Sequence, residues 1–177
     1  MIMGDKIQLT AIEEGDLPLL REWRNQPGLR RHFREYREIS VERQAKWFEG
    51  LRDDPNTIMF AIRTKADETA VKPQGELVGA CGLTYIQWKN GIAELSLYIG
   101  RTYIDSLVAP EAQKLVIDYG FGELHLHKMW ADVYDWSLHL LPTLLSHGPR
   151  SAGCALSRPC RRGYVERWRK PATRMLG

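Results

Sequence analysis

The sequence predicts one mixed α/β domain, α+β in organisation, with a mostly antiparallel central sheet flanked by helices. Three observations predict it. Extended runs and period-3.6 stripes are interspersed along the chain. Between Ile58 and Ile99 three extended runs follow one another through turn signals, so the first half of the sheet is largely antiparallel. A length of 177 residues at 44% hydrophobic is enough to bury one core.

Ile7 and Leu9 open a short strand. Asp16 stands before Leu17, Leu20 and Trp23, a helical spacing with an N-cap candidate in front of it. Asn25-Gln26-Pro27-Gly28 breaks that helix. Leu29 to Glu38 is crowded with arginine and reads as a solvated loop or short helix. Ser40 is the N-cap candidate of a second helix, with Val41, Ala45, Phe48 and Leu51 on one face and Asp53-Asp54-Pro55-Asn56 at its end.

Ile58 to Arg63 is a strand, and the polar stretch Lys65 to Gly75 a hairpin loop. Glu76 to Ile86 is small or apolar on both faces, as a central strand covered on both sides must be. Lys89-Asn90-Gly91 is a tight turn, and Ile92 to Ile99 the next strand. Val108, Ala112, Leu115 and Tyr119 form a helical stripe around Pro110, ended by Gly120 and Gly122. Met129 to Tyr134 is a strand, Leu138 to Leu145 a short helix, and Tyr164 to Trp168 a last strand. The order is β-α-α-β-β-β-α-β-α-β.

Composition excludes several classes. Apolar content is too high, and net charge (+3) too low, for a disordered chain. No apolar run approaches ~18 residues, so no transmembrane helix is expected. MIMGDKIQLT lacks a basic region followed by an apolar one, and a cytoplasmic protein is expected. Three cysteines, Cys81, Cys154 and Cys160, lack the pairing of a disulfide framework or zinc site. His125 and His127 share a face if extended, but no third ligand stands at a supporting spacing, so no metal is expected. Charge is uneven: residues 136–177 hold eight Lys/Arg and one acid, +7, leaving −4 for residues 1–135.

The chemistry concentrates in Ala93 to Gly100. Alternation puts Ile92, Glu94, Ser96 and Tyr98 on one face and Ala93, Leu95, Leu97 and Ile99 on the other. A carboxylate half-buried on an interior strand suits a general base near neutral pH. The other reading of Glu94 is a solvent-face residue, or the partner of a nearby arginine.

The order of elements and several strings together resemble the GNAT superfamily of acyl-CoA-dependent N-acetyltransferases, most of all the branch of ribosomal-protein N-terminal acetyltransferases. The strings are Leu20 to Asn25, Trp47-Phe48, Gly75 to Gly79 with Gly82-Leu83, Ala93 to Gly100, Ala109 to Ala112, Asp118 to Phe121 and Leu126 to Lys128. They lie within residues 5–135, in family order.

The resemblance implies direct acetyl transfer from acetyl-CoA to a primary amine, with both bound at once and no covalent enzyme intermediate. It implies that the strand over Ala93–Gly100 splays from its neighbour. Backbone at Ser96, Leu97, Tyr98 and Ile99 then holds the pantetheine and the thioester carbonyl, and Glu94 is the general base. Amides near Ser96 and Leu97 would polarise that carbonyl as it gains charge. The pyrophosphate is expected at the following loop, with Arg101, Ser106, Val108 and Ala109 as candidates.

Two departures stand out. Asp105 and Leu107 occupy the positions where the family's loop carries glycines, which let backbone approach phosphate. After Asp135, Ser137 is the nearest match to a family asparagine and joins the catalytic candidates, while the family's Gly-Phe pair is absent. Trp23, Asn25, Tyr85 and Trp88 are the acceptor-side candidates; an amphipathic-helix core position is the other reading of Trp23.

The expected organisation is a core over 1–135 and an atypical basic C-terminal segment over 136–177, completing the domain or appended to it. The expected function is N-acetylation of a protein N-terminus or small-molecule amine. The alternative is a catalytically weak or inactive acyl-CoA-binding domain with a degenerate loop. Nucleic-acid binding by the basic tail ranks last, because only Tyr164 and Trp168 interleave its charges. No membrane partner is expected, and a homodimer is left open.

Overall fold

The computed structural model describes residues 1–31, 33–65, 75–100, 108–133 and 164–169. The chain begins with a hairpin of β1 (Ile2–Met3) and β2 (Ile7–Thr10). Three helices follow, α1 (Leu17–Asn25), α2 (Pro27–Arg30) and α3 (Val41–Asp53). Then come β3 (Ile58–Thr64), β4 (Leu77–Gln87), β5 (Ile92–Ile99), α4 (Val108–Gly122), β6 (Lys128–Val133) and β7 (Tyr164–Arg169). The seven strands form one sheet in chain order. Every neighbouring pair is antiparallel except β5 and β6, which run parallel with α4 as their crossover.

The predicted mixed, mostly antiparallel sheet is therefore present, and its elements lie where local pattern put them. β1 and α2 are additions. The expected helix over Leu138 to Leu145, and most of the loop from Lys65 to Gly75, lie outside the described residues.

Local chemistry explains the ends. The Ser40 hydroxyl accepts from the Arg43 N–H at 3.2 Å and caps α3. Pro27 fits the first position of α2, where its missing N–H costs nothing. Gly91 takes φ +59 after a 3₁₀ turn, and its carbonyl accepts from His127 N–H at 2.8 Å, tying the turn to the start of β6. Asp16 departs from expectation. It precedes α1 but makes no side-chain cap; its oxygens lie 2.6 and 2.8 Å from Arg63 of β3, with both side chains 9% exposed. Its Oδ2 also accepts from the Glu13 N–H at 2.9 Å, so the carboxylate joins the buried guanidinium to the 3₁₀ turn before α1.

The sheet is covered on both faces. Ile7, Ile62, Val78, Leu83 and Leu95 pack with Val108, Ala112 and Val116 of α4. Leu20 and Trp23 of α1 pack with Ala61, Ala80 and Tyr98 on the other face, joined by Trp47 and Phe48 of α3. β4 is buried continuously from Leu77 to Leu83, as a strand covered on both sides must be. Among the described residues no helix is long and apolar enough to cross a membrane.

Two irregularities shape what lies on the α1–α3 face. The β4–β5 register shifts between Thr84 and Gln87, so Tyr85 and Ile86 together face Ala93. Simple alternation would turn Tyr85 toward α4. The extra residue puts Ile86 in that core instead and leaves Tyr85 exposed at φ +50. The second irregularity is the parallel ladder between β5 and β6, which ends at Glu94 opposite Trp130, although β5 continues to Ile99.

Candidate active site

The end of that ladder positions the site. Thr84, Glu94 and Trp130 lie side by side on β4, β5 and β6. Glu94 leaves the sheet on the α1–α3 face, as its alternation with Leu95 and Tyr98 requires, and is buried. The Gly100 N–H donates to the Val78 carbonyl at 2.8 Å, so the even-numbered residues of β5 bond to β4. The N–H and C=O groups of Leu97 and Ile99 therefore point to the β6 side, beyond the last parallel pair. That edge suits an extended ligand with alternating donors and acceptors.

Arg34, in the segment after α2, reaches the carboxylate. Its Nη1 donates to Glu94 Oε2 at 3.0 Å and its Nη2 to Oε1 at 2.6 Å. The Glu94 side chain is 9% exposed and that of Arg34 46%. The Arg34 guanidinium carbon stands 5.6 Å from the Tyr85 ring centre and 6.0 Å from that of Trp130. One carboxylate and two aromatic rings thus surround a cation.

The Arg34 segment is held at both ends. Phe33 meets the Tyr98 ring edge-on at 5.5 Å, and the Arg24 guanidinium lies 4.2 Å from the Phe33 centre. Asn25 donates to the Ile39 carbonyl at 2.9 Å and accepts from the Ile39 N–H at 2.8 Å, closing the base of the loop. Between these anchors Glu35 binds Arg37 at 2.9 Å and also pairs with Arg43. Hydrogen bonds from Arg37, more than from Arg43, hold the Glu35 carboxyl at about 2. Burial pushes the Tyr98 phenol up to about 12, against the pull of Arg24, and it stays neutral.

The expected site residues separate into groups. Glu94 and Tyr85 come together around Arg34. Ser96, Leu97, Tyr98 and Ile99 continue β5 past the last parallel pair. Val108 and Ala109 open α4 and pack against the core. Trp23 lies in the core, where a Cβ on Gly100 would stand 2.6 Å from its ring, and Asn25 engages the loop backbone. Trp88 donates from its indole N–H to the Pro55 carbonyl at 2.9 Å, on an exposed turn. Arg101, Asp105, Ser106, Leu107 and Ser137 lie outside the described residues. Sequence reasoning gave Trp130 no role. Its signal was the register of a parallel pair, which no local pattern carries.

A family model described as acetyltransferase (GNAT) domain matches residues 6–136. The chain belongs to that family. This GNAT domain is 40% identical over 63 residues to "Uncharacterized N-acetyltransferase p20" of Bacillus licheniformis, a match covering 36% of the chain and 35% of that protein. The chain thus spans about a third of this curated relative's length. Its fold is like that of spermidine N-acetyltransferase from Vibrio cholerae, solved in complex with CoA and spermine. The TM-score there is 0.73 at 21% identity, covering 92% of this chain and 93% of that one. An acetyltransferase from Agrobacterium tumefaciens str. C58 gives 0.72 at 16% identity, covering 96% and 94%. The GNAT family is one of acyl-CoA-dependent acetyltransferases.

Proposed function

We propose that this GNAT domain is an N-acetyltransferase that moves an acetyl group from acetyl-CoA to a primary amine in a ternary complex. One observation carries the reading: the parallel ladder stops at Glu94, leaving the Leu97 and Ile99 backbone on the β6 side without a ladder partner among the described strands, with a buried carboxylate at the end of the ladder. The pantetheine lies along that edge as an added strand would. The amine enters from the α1–α3 face. Its ammonium gives a proton to Glu94, and the neutral nitrogen attacks the acyl carbon. The C–S bond breaks, and a second nitrogen proton passes to the departing thiolate, giving CoA thiol and amide. Amides of β5 offset the charge that grows on the carbonyl oxygen. Ser137 is the candidate for assisting at the thiolate, and Arg101, Ser106, Val108 and Ala109 for the pyrophosphate.

The acceptor is a small-molecule or peptide amine. The relative solved with spermine supports the first; the ribosomal-protein branch, which the strings resemble, supports the second. Residues 136–177 complete the domain, a reading supported by the pairing of β7 with β6, and a cytoplasmic site of action fits a CoA donor.

A second reading, acyl-CoA binding without turnover, is favoured by Asp105 and Leu107 in the loop and by Arg34 on the candidate base. Thermal unfolding with and without acetyl-CoA, followed by thiol release with an amine panel, separates them. At ~100 times the dissociation constant, linkage gives about 2.7 kcal/mol and a rise of roughly 5–11 °C. A rise with release supports transfer, a rise without release supports the second reading, and no rise removes both.

A further inference from the structure

We propose that Arg34 is a displaceable internal cation. Its guanidinium occupies the acceptor's cation position in the free protein, and a cationic amine enters by exchanging with it. The proposal rests on the acetyl-transfer reading for its consequence in turnover, but not for its test of binding.

The surroundings of Arg34 define a cation site by their chemistry. Both Glu94 oxygens accept from the guanidinium, at 3.0 and 2.6 Å. The Tyr85 and Trp130 rings stand 5.6 and 6.0 Å from its carbon. A carboxylate and π faces recognise an ammonium on the same physical terms. The site also lies at the closed end of the β5–β6 divergence, where an attacking nitrogen has to stand. One position therefore suits two cations, and they exclude each other.

Exposure decides how they change places. Glu94 is 9% exposed, so withdrawing the Arg34 guanidinium from its carboxylate with nothing in exchange is costly. Arg34 is 46% exposed, so water readily takes over its guanidinium. Opening without replacement is thus disfavoured, and replacement is not. The swing needs only the side chain: Phe33 and Ile39 anchor the segment, Glu35 is held by Arg37 and Arg43, and Arg34 itself is exposed. The exchange makes and breaks no covalent bond. It selects acceptors that arrive charged, and the proton that made them cations goes to the carboxylate that Arg34 has just released. An amine that arrives neutral does not compensate Glu94 and leaves Arg34 in place.

The test uses ethylguanidinium, the end of an arginine side chain cut free. Arg34→Ala empties the position, and Arg34→Gln does so while keeping a donor toward Glu94 if the alanine variant folds poorly. Binding is read from the indole N–H signal of Trp130 in ¹⁵N-labelled protein, assigned with Trp130→Phe. The expected result is a saturable shift in the Arg34 variants at concentrations that leave wild type unmoved. Adding Glu94→Gln should abolish it. Binding to wild type and variants alike, or to neither, overturns the proposal.

With 1,4-diaminobutane as acceptor, the Arg34 variants should lower KM about tenfold, with kcat changing less. Ethylguanidinium should then inhibit them competitively with the amine. Restoration of rate by ethylguanidinium would instead make Arg34 a positioning residue for Glu94 and overturn exchange. Absence of turnover in every protein would sink the acetyl-transfer reading, while the NMR titration would still decide this one.

Discussion

Glu94→Gln separates what the carboxylate does for folding from what it does for chemistry. The substitution keeps side-chain volume and replaces one oxygen by an NH2 group. Arg34 presents N–H groups to both oxygens, at 3.0 and 2.6 Å, so one of the two bonds becomes donor against donor. Removing one partner of a fully buried pair costs about 3–5 kcal/mol, and exposed pairs contribute about 0–1. Here one side chain is 9% exposed and the other 46%, so the loss lies between. About 1–2 kcal/mol, a Tm drop of roughly 2–8 °C, is expected.

Turnover responds on a different scale. Losing a general base costs about 10²–10⁴-fold, or roughly 3–5 kcal/mol of barrier. Acetyl-CoA affinity should hold, because the proposed donor position is on the Leu97 and Ile99 backbone rather than on this side chain. The assay is initial rate at saturating acetyl-CoA with any amine that wild type turns over, beside a melting curve with and without donor. Turnover within about threefold of wild type would refute the role of Glu94 as base. A lost acetyl-CoA shift would refute the separation of donor and base.

The fold makes further commitments. Arg63→Met leaves the Asp16 carboxylate without its guanidinium, both side chains being 9% exposed, and should cost about 3–5 kcal/mol, whereas Asp16→Leu with Arg63→Met should recover most of it; urea unfolding checks both. Gly100→Ala puts a Cβ 2.6 Å from the Trp23 ring and should cost about 1–3 kcal/mol, measured the same way; an unchanged midpoint would contradict the close approach. Glu35 sits at about 2, below its ordinary 4.5, so between these values acid favours the unfolded chain, which binds the proton. Its contribution is present above pH 4.5 and lost as pH falls toward 2, and the urea midpoints of wild type and Glu35→Gln should converge over that window.

What the sequence makes legible is what the backbone repeats locally. The period of 2 along Ile92 to Ile99 places Glu94, Ser96 and Tyr98 on one face, and the structure keeps them there, because a central strand leaves no freedom to slip. The Ser40 cap and the continuous apolar run of β4 are local in the same sense. Residue type alone fails where a long-range partner decides. Asp16 has the type and place of a cap for α1, yet its carboxylate turns to the Glu13 N–H of the preceding 3₁₀ turn and to Arg63, 47 residues away. Asn25 and Trp23 have the types expected of a pocket. A loop closing fourteen residues on engages the first, and Gly100 admits the ring of the second into the core.

The candidate site lies on the divide between these two kinds of information. Its carboxylate comes from strand alternation, but its electrostatics come from Arg34, 60 residues earlier in the chain. Its aromatic wall comes from a bulge that re-aims Tyr85 and from a crossover that brings Trp130 beside Glu94. A buried carboxylate by itself would suggest a proton acceptor of raised basicity. A carboxylate whose two oxygens both accept from a guanidinium, at 3.0 and 2.6 Å, has fewer acceptor sites left for an incoming amine. On the exchange proposed above, the same two residues describe a base once a second cation has replaced the first. On that proposal, catalytic readiness is a property of acceptor occupancy as much as of the folded chain.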